Sequence, residues 1–350
     1  MRVHGMFPSA VRMRRRTQVR LKPAPATMGR MIRRELFFGV VFVLSACAGI
    51  AARAQTVQPA QASAQSVILD TDIGDDIDDA FALALVLKSP ELHLLGITTE
   101  FGDTALRSRL VDRYLQAVGR GDIPVATGVE TSATNHFTQA AYARGGPDLK
   151  HPDAIDFLLA QIRAHPSQIT LIAIGPLINV QAAIARDAAT FKQLRRVVIM
   201  GGSVYRGYDS RGDTHRPPDP EWNVLCDPAG LKALLASGVP VFMMPLDSTQ
   251  VHLPLPDLIS VVSHGSPLTD QLTLLYHQWA GNRAWPSPTL FDPVAVTYAI
   301  RPDLCPAVPL RIEVDDKGNT RPVPGPPNAQ VCVKSDEKGF LNLLLGRILK

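Results

Sequence analysis

Six carboxylates fall within ten residues: Asp70, Asp72, Asp75, Asp76, Asp78 and Asp79. Like charges at this density repel one another unless something positive sits among them, and a divalent cation meets that need most simply. An all-oxygen, all-anionic ligand set suits a hard ion, Ca²⁺ or Mg²⁺, rather than zinc. The spacing is not that of an EF-hand loop, which requires an acid at its twelfth position. Acids also favour the start of a helix, but capping accounts for one or two of these residues and not for six.

The elements that must hold the acids are legible on either side of them. A short apolar run over 67–69 leads in and an apolar stretch with helical spacing over 80–87 leads out, which predicts strand, turn, helix. Ligands of open α/β sheets bind at that edge. Further on, strands are expected over 92–98, 123–126, 169–174, 197–200 and 239–244. Helices are expected between them, over 104–118, 154–163, 179–186 and 228–237. Alternation of this kind, with strands that are uniformly apolar, indicates an α/β fold: an open, mostly parallel (mixed) sheet covered by helices on both faces. Residues 130–150 read as loop, and 203–223 as a long polar loop of the kind that is often functional. Around 268–279 the chain reads as helix and is then Pro-rich. Asp292-Pro293 opens another helix, with Pro at its first position. Strands joined by a Gly/Pro-rich turn are expected over 310–333, and an amphipathic helix over 340–349.

Residues 1–54 have a different character. They hold eleven Lys/Arg and one acid, Glu35. An apolar run over 36–47 and Ala52-Arg53-Ala54 complete the pattern of a secretory signal, too short in its apolar part to span a membrane. Cleavage after Ala54 would leave a soluble, exported (periplasmic) protein. Leu44-Ser45-Ala46-Cys47 also resembles a lipobox, the alternative in which Cys47 carries a lipid anchor. Residues 55–65, rich in Ala, Gln and Ser, read as a linker, and 66–350 as one domain, long enough for a sizeable core. The whole chain has a net charge of +4 and the leader +10, so the rest carries −6. The basic character belongs to the leader, and nothing in the remainder calls for nucleic acid. Beyond the leader stand Cys226, Cys305 and Cys332, an odd number without metal spacing. They leave room for one bridge whose partners the sequence does not name.

On the acid stretch the chain resembles the nucleoside hydrolases of the inosine-uridine-preferring type, whose signature is Asp-x-Asp-x-Gly, a short spacer, then Asp-Asp-Ala. The resemblance extends over nearly all of residues 66–350 and implies a Rossmann-like fold, a bound Ca²⁺, a homo-oligomer and hydrolysis of the N-glycosidic bond of a ribonucleoside. Asp72 matches the aspartate that contacts the ion and acts as general base on its water. Asp78 matches the residue that grips ribose hydroxyls, and Asp79 a calcium ligand. Ile174, before Gly175-Pro176, matches the position that offers a backbone carbonyl to the metal. Glu221-Trp222-Asn223 matches Glu-x-Asn, whose side chains bind sugar hydroxyls, and Asp292 the aspartate that completes the calcium shell. Asp103 stands where many members carry a ribose-contacting asparagine. Met200, at the end of a strand, is counted with the substrate-binding residues.

Three departures matter. The spacer after Gly74 is Asp75-Asp76-Ile77, two residues longer than in the best-known members, which adds Asp76 as a competing ligand. Phe291 replaces the histidine that often precedes the last aspartate and protonates the leaving base. Tyr205, Tyr208, His215, Trp222 and His277 are the available substitutes. Two other readings compete: a haloacid dehalogenase-type phosphatase with Asp70 as nucleophile, and an exported nucleoside- or sugar-binding protein without turnover.

Overall fold

The computed structural model describes residues 64–133, 137–209 and 216–350. The leader, Cys47, His215 and nearly all of the expected linker lie outside the described residues. The chain alternates through β1 (Gln65–Thr71), α1 (Asp78–Leu87), β2 (Leu92–Thr99), α2 (Thr104–Ala117) and β3 (Val125–Thr127). It continues through α3 (Ala140–Arg144), α4 (Ala154–Ala164), β4 (Thr170–Ala173), α5 (Ile178–Phe191) and β5 (Arg196–Met200). Next come α6 (Trp222–Cys226), α7 (Pro228–Ala236), β6 (Val241–Met244), α8 (Leu246–Thr249), α9 (Leu255–Ser263), α10 (Pro267–Ala280) and α11 (Asp292–Ile300). The last elements are β7 (Ala307–Val314), β8 (Thr320–Val323), β9 (Ala329–Cys332) and α12 (Glu337–Ile348).

Among the described residues the strands form one nine-stranded sheet in the order β3-β2-β1-β4-β5-β6-β9-β7-β8. From β3 to β9 every neighbouring pair is parallel; β7 pairs antiparallel with β9 and with β8. The α/β class with a mostly parallel sheet is therefore as expected. The order reverses between β1 and β4: β2 and β3 lie to one side of β1, and the later parallel strands to the other. The crevice at the carboxyl ends of those two strands is the binding position of doubly wound sheets.

Two cores sandwich the sheet, and side-chain alternation feeds both. Val67, Leu69, Ile172 and Val198 face the core built with α1, α2 and α9–α12. Ile68, Leu171, Ala173, Val197 and Ile199 face the core built with α4, α5 and α7. A strand buried on both faces has no polar side, which is why these runs are continuously apolar.

Among the described residues four helices arise where none was expected: α3, α6, α8 and α9. α3 lies inside the stretch read as loop. α9 begins among prolines: Pro254 is its N-cap and Pro256 sits in its first turn, where a missing N–H costs nothing. The bridge that the sequence leaves unnamed joins Cys305 to Cys332, both fully buried. Cys226 is free.

Candidate active site

The chain leaves β1 at Thr71 and must turn sharply before α1. Gly74 makes the turn with φ +132°, and a Cβ there would meet Phe137 Cε2 at 2.1 Å. Asp78 and Asp79 then form the first turn of α1, where the helix dipole favours negative charge. The Asp79 carboxylate accepts from Thr71 Oγ1 at 2.5 Å. Asp78 Oδ2 accepts from the backbone N–H groups of Phe291 and Asp292, at 3.1 and 3.2 Å. Those two contacts tie α1 to the start of α11 across more than two hundred residues.

Asp292 is not a cap. Phe291 holds that position without a side-chain bond, and Asp292 is the first helical residue, 4% exposed. Its carboxylate meets those of Asp78 and Asp79, with one oxygen of each within 4.8 Å of the others. Asp227, by contrast, does cap its helix, accepting from Gly230 N at 2.9 Å.

The cluster opens into a cavity of about 390 Å³. Asp72, Asp78, Asp79, Ile174, Met200, Glu221, Asn223 and Asp292 all line it, each from the position the sequence reading singled out. Asn223 Nδ2 donates to the carbonyls of Ile174 and Met200, at 3.0 and 3.2 Å, and so ties together the ends of β4 and β5. Glu221 caps α6: Oε1 accepts from Asn223 N at 2.9 Å, and Oε2 from Gly202 N at 2.8 Å and Val224 N at 3.2 Å.

Asp103 is not brought to the cavity. It is exposed and accepts from Leu106 N at 2.9 Å as the cap of α2. Phe101 and Gly102 both have φ +63°, and this left-handed pair precedes a carboxylate that serves the helix start. Asp70, the nucleophile a phosphatase would need, is also absent from the lining. It is fully buried, with Oδ1 held by Thr98 Oγ1 at 2.5 Å and Asn179 Nδ2 at 2.8 Å. Of the substitutes for the missing histidine, Tyr208 and Trp222 line the cavity and Tyr205 and His277 do not.

Several residues that shape the site carry no sequence signal. Arg107, 1% exposed, donates Nε to Phe101 O at 2.7 Å and Nη1 to the carbonyls of Asp72 and Ile73, the latter at 3.1 Å. Its outward end meets Asp75. Glu100 lies fully buried behind Asp72: a Cβ on Gly175 would come within 2.8 Å of both Glu100 Oε1 and Asp72 Oδ1, so only glycine fits between them and the sheet. An arginine at a helical core position, or an acid after a strand, is seen from sequence only as an exception to the apolar pattern.

The electrostatics follow from this burial. Desolvation pushes the Asp72 carboxyl up to about 7, with Arg107 pulling it back. Burial raises Asp70 to about 6 against the hydrogen bonds from Thr98 and Asn179. Asp78, Asp79 and Asp292 are all driven well above the ordinary range, first by burial and then by one another or by neighbouring acids. The charges bearing on Asp292 are those of Asp78, Asp79, Asp72 and Asp76, all of one sign. A cluster of this kind fits a divalent cation: its donors are carboxylate oxygens and converge on one point.

Residues 67–342 match the inosine-uridine preferring nucleoside hydrolase family. The chain belongs to that family. Membership makes it an N-glycosyl hydrolase acting on nucleosides, and neither a phosphatase nor a binding protein without turnover is supported. Curated relatives of this nucleoside hydrolase align over nearly their whole length. It is 29% identical over 316 residues to the pyrimidine-specific ribonucleoside hydrolase RihA of Citrobacter koseri, covering 81% of this chain and 97% of that one. Escherichia coli RihA is 27% identical over 312 residues, with the same coverage. Among solved structures, the plant nucleoside hydrolase PpNRh1 superimposes with a TM-score of 0.70 at 27% identity, covering 81% of this chain and 98% of that one. The purine-preferring ribonucleoside hydrolase from Gardnerella vaginalis gives 0.69 at 24% identity, again over 81% and 98%, and shares the fold.

Proposed function

We propose that this nucleoside hydrolase is a calcium-dependent enzyme that hydrolyses the N-glycosidic bond of ribonucleosides to ribose and free base. The convergence of the Asp78, Asp79 and Asp292 carboxylates within 4.8 Å, beside Asp72, carries the reading. Asp72, Asp79, Asp292 and the Ile174 carbonyl would hold the ion. When bound, Ca²⁺ would supply charge neutralisation, orientation of the ribose diol and a lowered pKa for water in the site.

The chain's own groups do the rest. Asp78 is fixed by two backbone N–H groups of α11 and presents its other oxygen to the ribose hydroxyls. Asn223 and Glu221 flank the sugar from α6. Glu221 is itself held by three backbone N–H groups, so its role is to set the position of Asn223 and to add negative charge. Asp72 takes the proton of the attacking water: it lines the cavity beside the Asp78, Asp79 and Asp292 carboxylates, where a carboxylate can act as general base. Positive charge develops on the sugar ring as the bond breaks, and the ring of carboxylates favours it. Tyr208 meets the departing base. Its oxygen already accepts from Trp222 N at 2.9 Å, which leaves its own hydrogen to donate. Burial raises that phenol far above its ordinary range, so it offers a hydrogen bond rather than a whole proton.

The test is release of reducing sugar from a panel of ribonucleosides in the presence of Ca²⁺, with an Asp72→Asn variant as control. No ribose from any of them would overturn the reading. Export to the periplasm is supported by the signal pattern of 1–54 and by the Cys305–Cys332 bridge, since such bridges persist in oxidising compartments. Fractionation of cells producing the full chain reads soluble periplasmic against Cys47-anchored protein. A homo-oligomer follows from the family resemblance, and light scattering measures it.

A further inference from the structure

The two extra residues of the spacer, Asp75 and Asp76, point their side chains to different places. Asp75 also lines the cavity and pairs with Arg107, with contacts of 3.2 and 3.0 Å to Nη1 and Nη2. A strap from the segment before α3 then grips the backbone of the insertion. Gln139 N donates to Gly74 O at 3.0 Å, Thr138 Oγ1 to Asp75 O at 2.7 Å and Gln139 Nε2 to Asp76 O at 2.6 Å. Phe137 packs on Gly74 and lies under the Arg107 guanidinium, 5.0 Å from its ring centre. With every carbonyl of the insertion bonded, Asp76 is left at the cavity wall. One of its oxygens accepts from Ile77 N at 2.7 Å, and Arg283 and the Trp279 side chain lie near enough to act on its carboxylate. Trp279, Tyr208, Trp222 and Phe291 are the aromatic part of the same lining.

Resting on the proposed ribonucleoside reading, we propose that Asp76 is a specificity-determining residue that faces the nucleobase and selects bases bearing an exocyclic amino group over their oxo counterparts. The carboxylate accepts from N–H donors and offers none, so an amino group on the base is paired where a carbonyl oxygen meets like lone pairs. Acidic side chains read the cytosine amino group in this way in nucleic-acid recognition, and discrimination of this kind uses repulsion as well as attraction. Asp75 is a positioning residue: through Arg107 it holds the loop on which Asp76 stands. The aromatic lining accommodates the flat faces of either ring size, so the selection runs within each class, cytidine over uridine and adenosine over inosine.

The experiment measures kcat/KM for both pairs on the full-length enzyme with Ca²⁺, for wild type, Asp76→Asn, Asp76→Ala and Asp75→Asn. Wild type is expected to favour the amino partner about tenfold or more. Asp76→Asn, which keeps the shape and can present either a donor or an acceptor, is expected to bring the amino-to-oxo ratio close to one. Asp76→Ala should do the same, and Asp75→Asn should lower the ratio part of the way with KM rising more than kcat falls. A wild-type preference for oxo bases, or an amino preference that survives both Asp76 substitutions, would overturn the proposal while leaving ribonucleoside hydrolysis intact. Absence of turnover on all four nucleosides would instead count against the reading of the site itself.

Discussion

Arg107 and Asp75 form a two-pronged pair whose arginine is 1% exposed, and that same guanidinium holds the backbone of Asp72, the residue assigned the base role. One buried cation from α2 thus fixes both the extra spacer and the loop that carries the reacting group. A lysine keeps the charge but cannot reproduce the fork. Arg107→Lys is expected to lower kcat about a hundredfold, because small displacements of a reacting group cost that much. Arg107→Ala removes a buried cation together with its bonds to the carbonyls of Phe101, Asp72 and Ile73, and is expected to destabilise the fold by about 3–5 kcal/mol. Chemical denaturation and steady-state kinetics on the two variants check both numbers.

Asp72→Asn removes the proton acceptor while retaining shape. Loss of general base catalysis corresponds to about 10²–10⁴-fold in kcat, measured at saturating Ca²⁺ because Asp72 is also assigned to the ion. An activity within tenfold of wild type would assign the base role elsewhere.

The raised carboxyls predict how the metal-free protein responds to pH. Asp70 and Asp72 move from 3.8 up to about 6 and about 7 on folding. A folded state that holds protons more tightly than the unfolded one is stabilised below the unfolded value, and loses that stability as pH rises through the folded value. In EDTA the melting temperature should therefore fall between pH 5 and pH 8. Calcium should restore it, by about 2.7 kcal/mol at a hundred times its Kd. Binding should also release protons, which calorimetry in buffers of different ionisation heat detects. A melting temperature that is unaffected by EDTA at pH 8 would contradict a cation held by these acids.

The Cys305–Cys332 bridge closes a loop of 27 residues between the end of α11 and β9. The chain-entropy account of such a loop gives about 3 kcal/mol. Cys305→Ser combined with Cys332→Ser should lower stability by that order while leaving kcat/KM within about twofold, since neither residue lines the cavity. Denaturant titration of the oxidised protein, the reduced protein and the double variant separates the bridge from the substitutions.

The sequence by itself determined the α/β alternation, the acid stretch at the end of the first strand, and the family. All three are local patterns: apolar period, charge density and motif order are carried by neighbouring residues, so no knowledge of packing is needed to read them. The later motifs around Ile174, Glu221 and Asn223, and Asp292 are reached through the family resemblance, which matches short motifs in their order along the chain.

Only the tertiary structure decided which of these acids meet. Asp292 reaches Asp78 and Asp79 because α11 docks its first turn against α1. Asp103, equally acidic and equally placed after a strand, is spent on capping α2. Arg107, Glu100, the bridge partners and the direction taken by Asp76 were likewise settled by packing. Each depends on contacts between residues distant in the chain, and pair distances across a fold leave no mark on local composition.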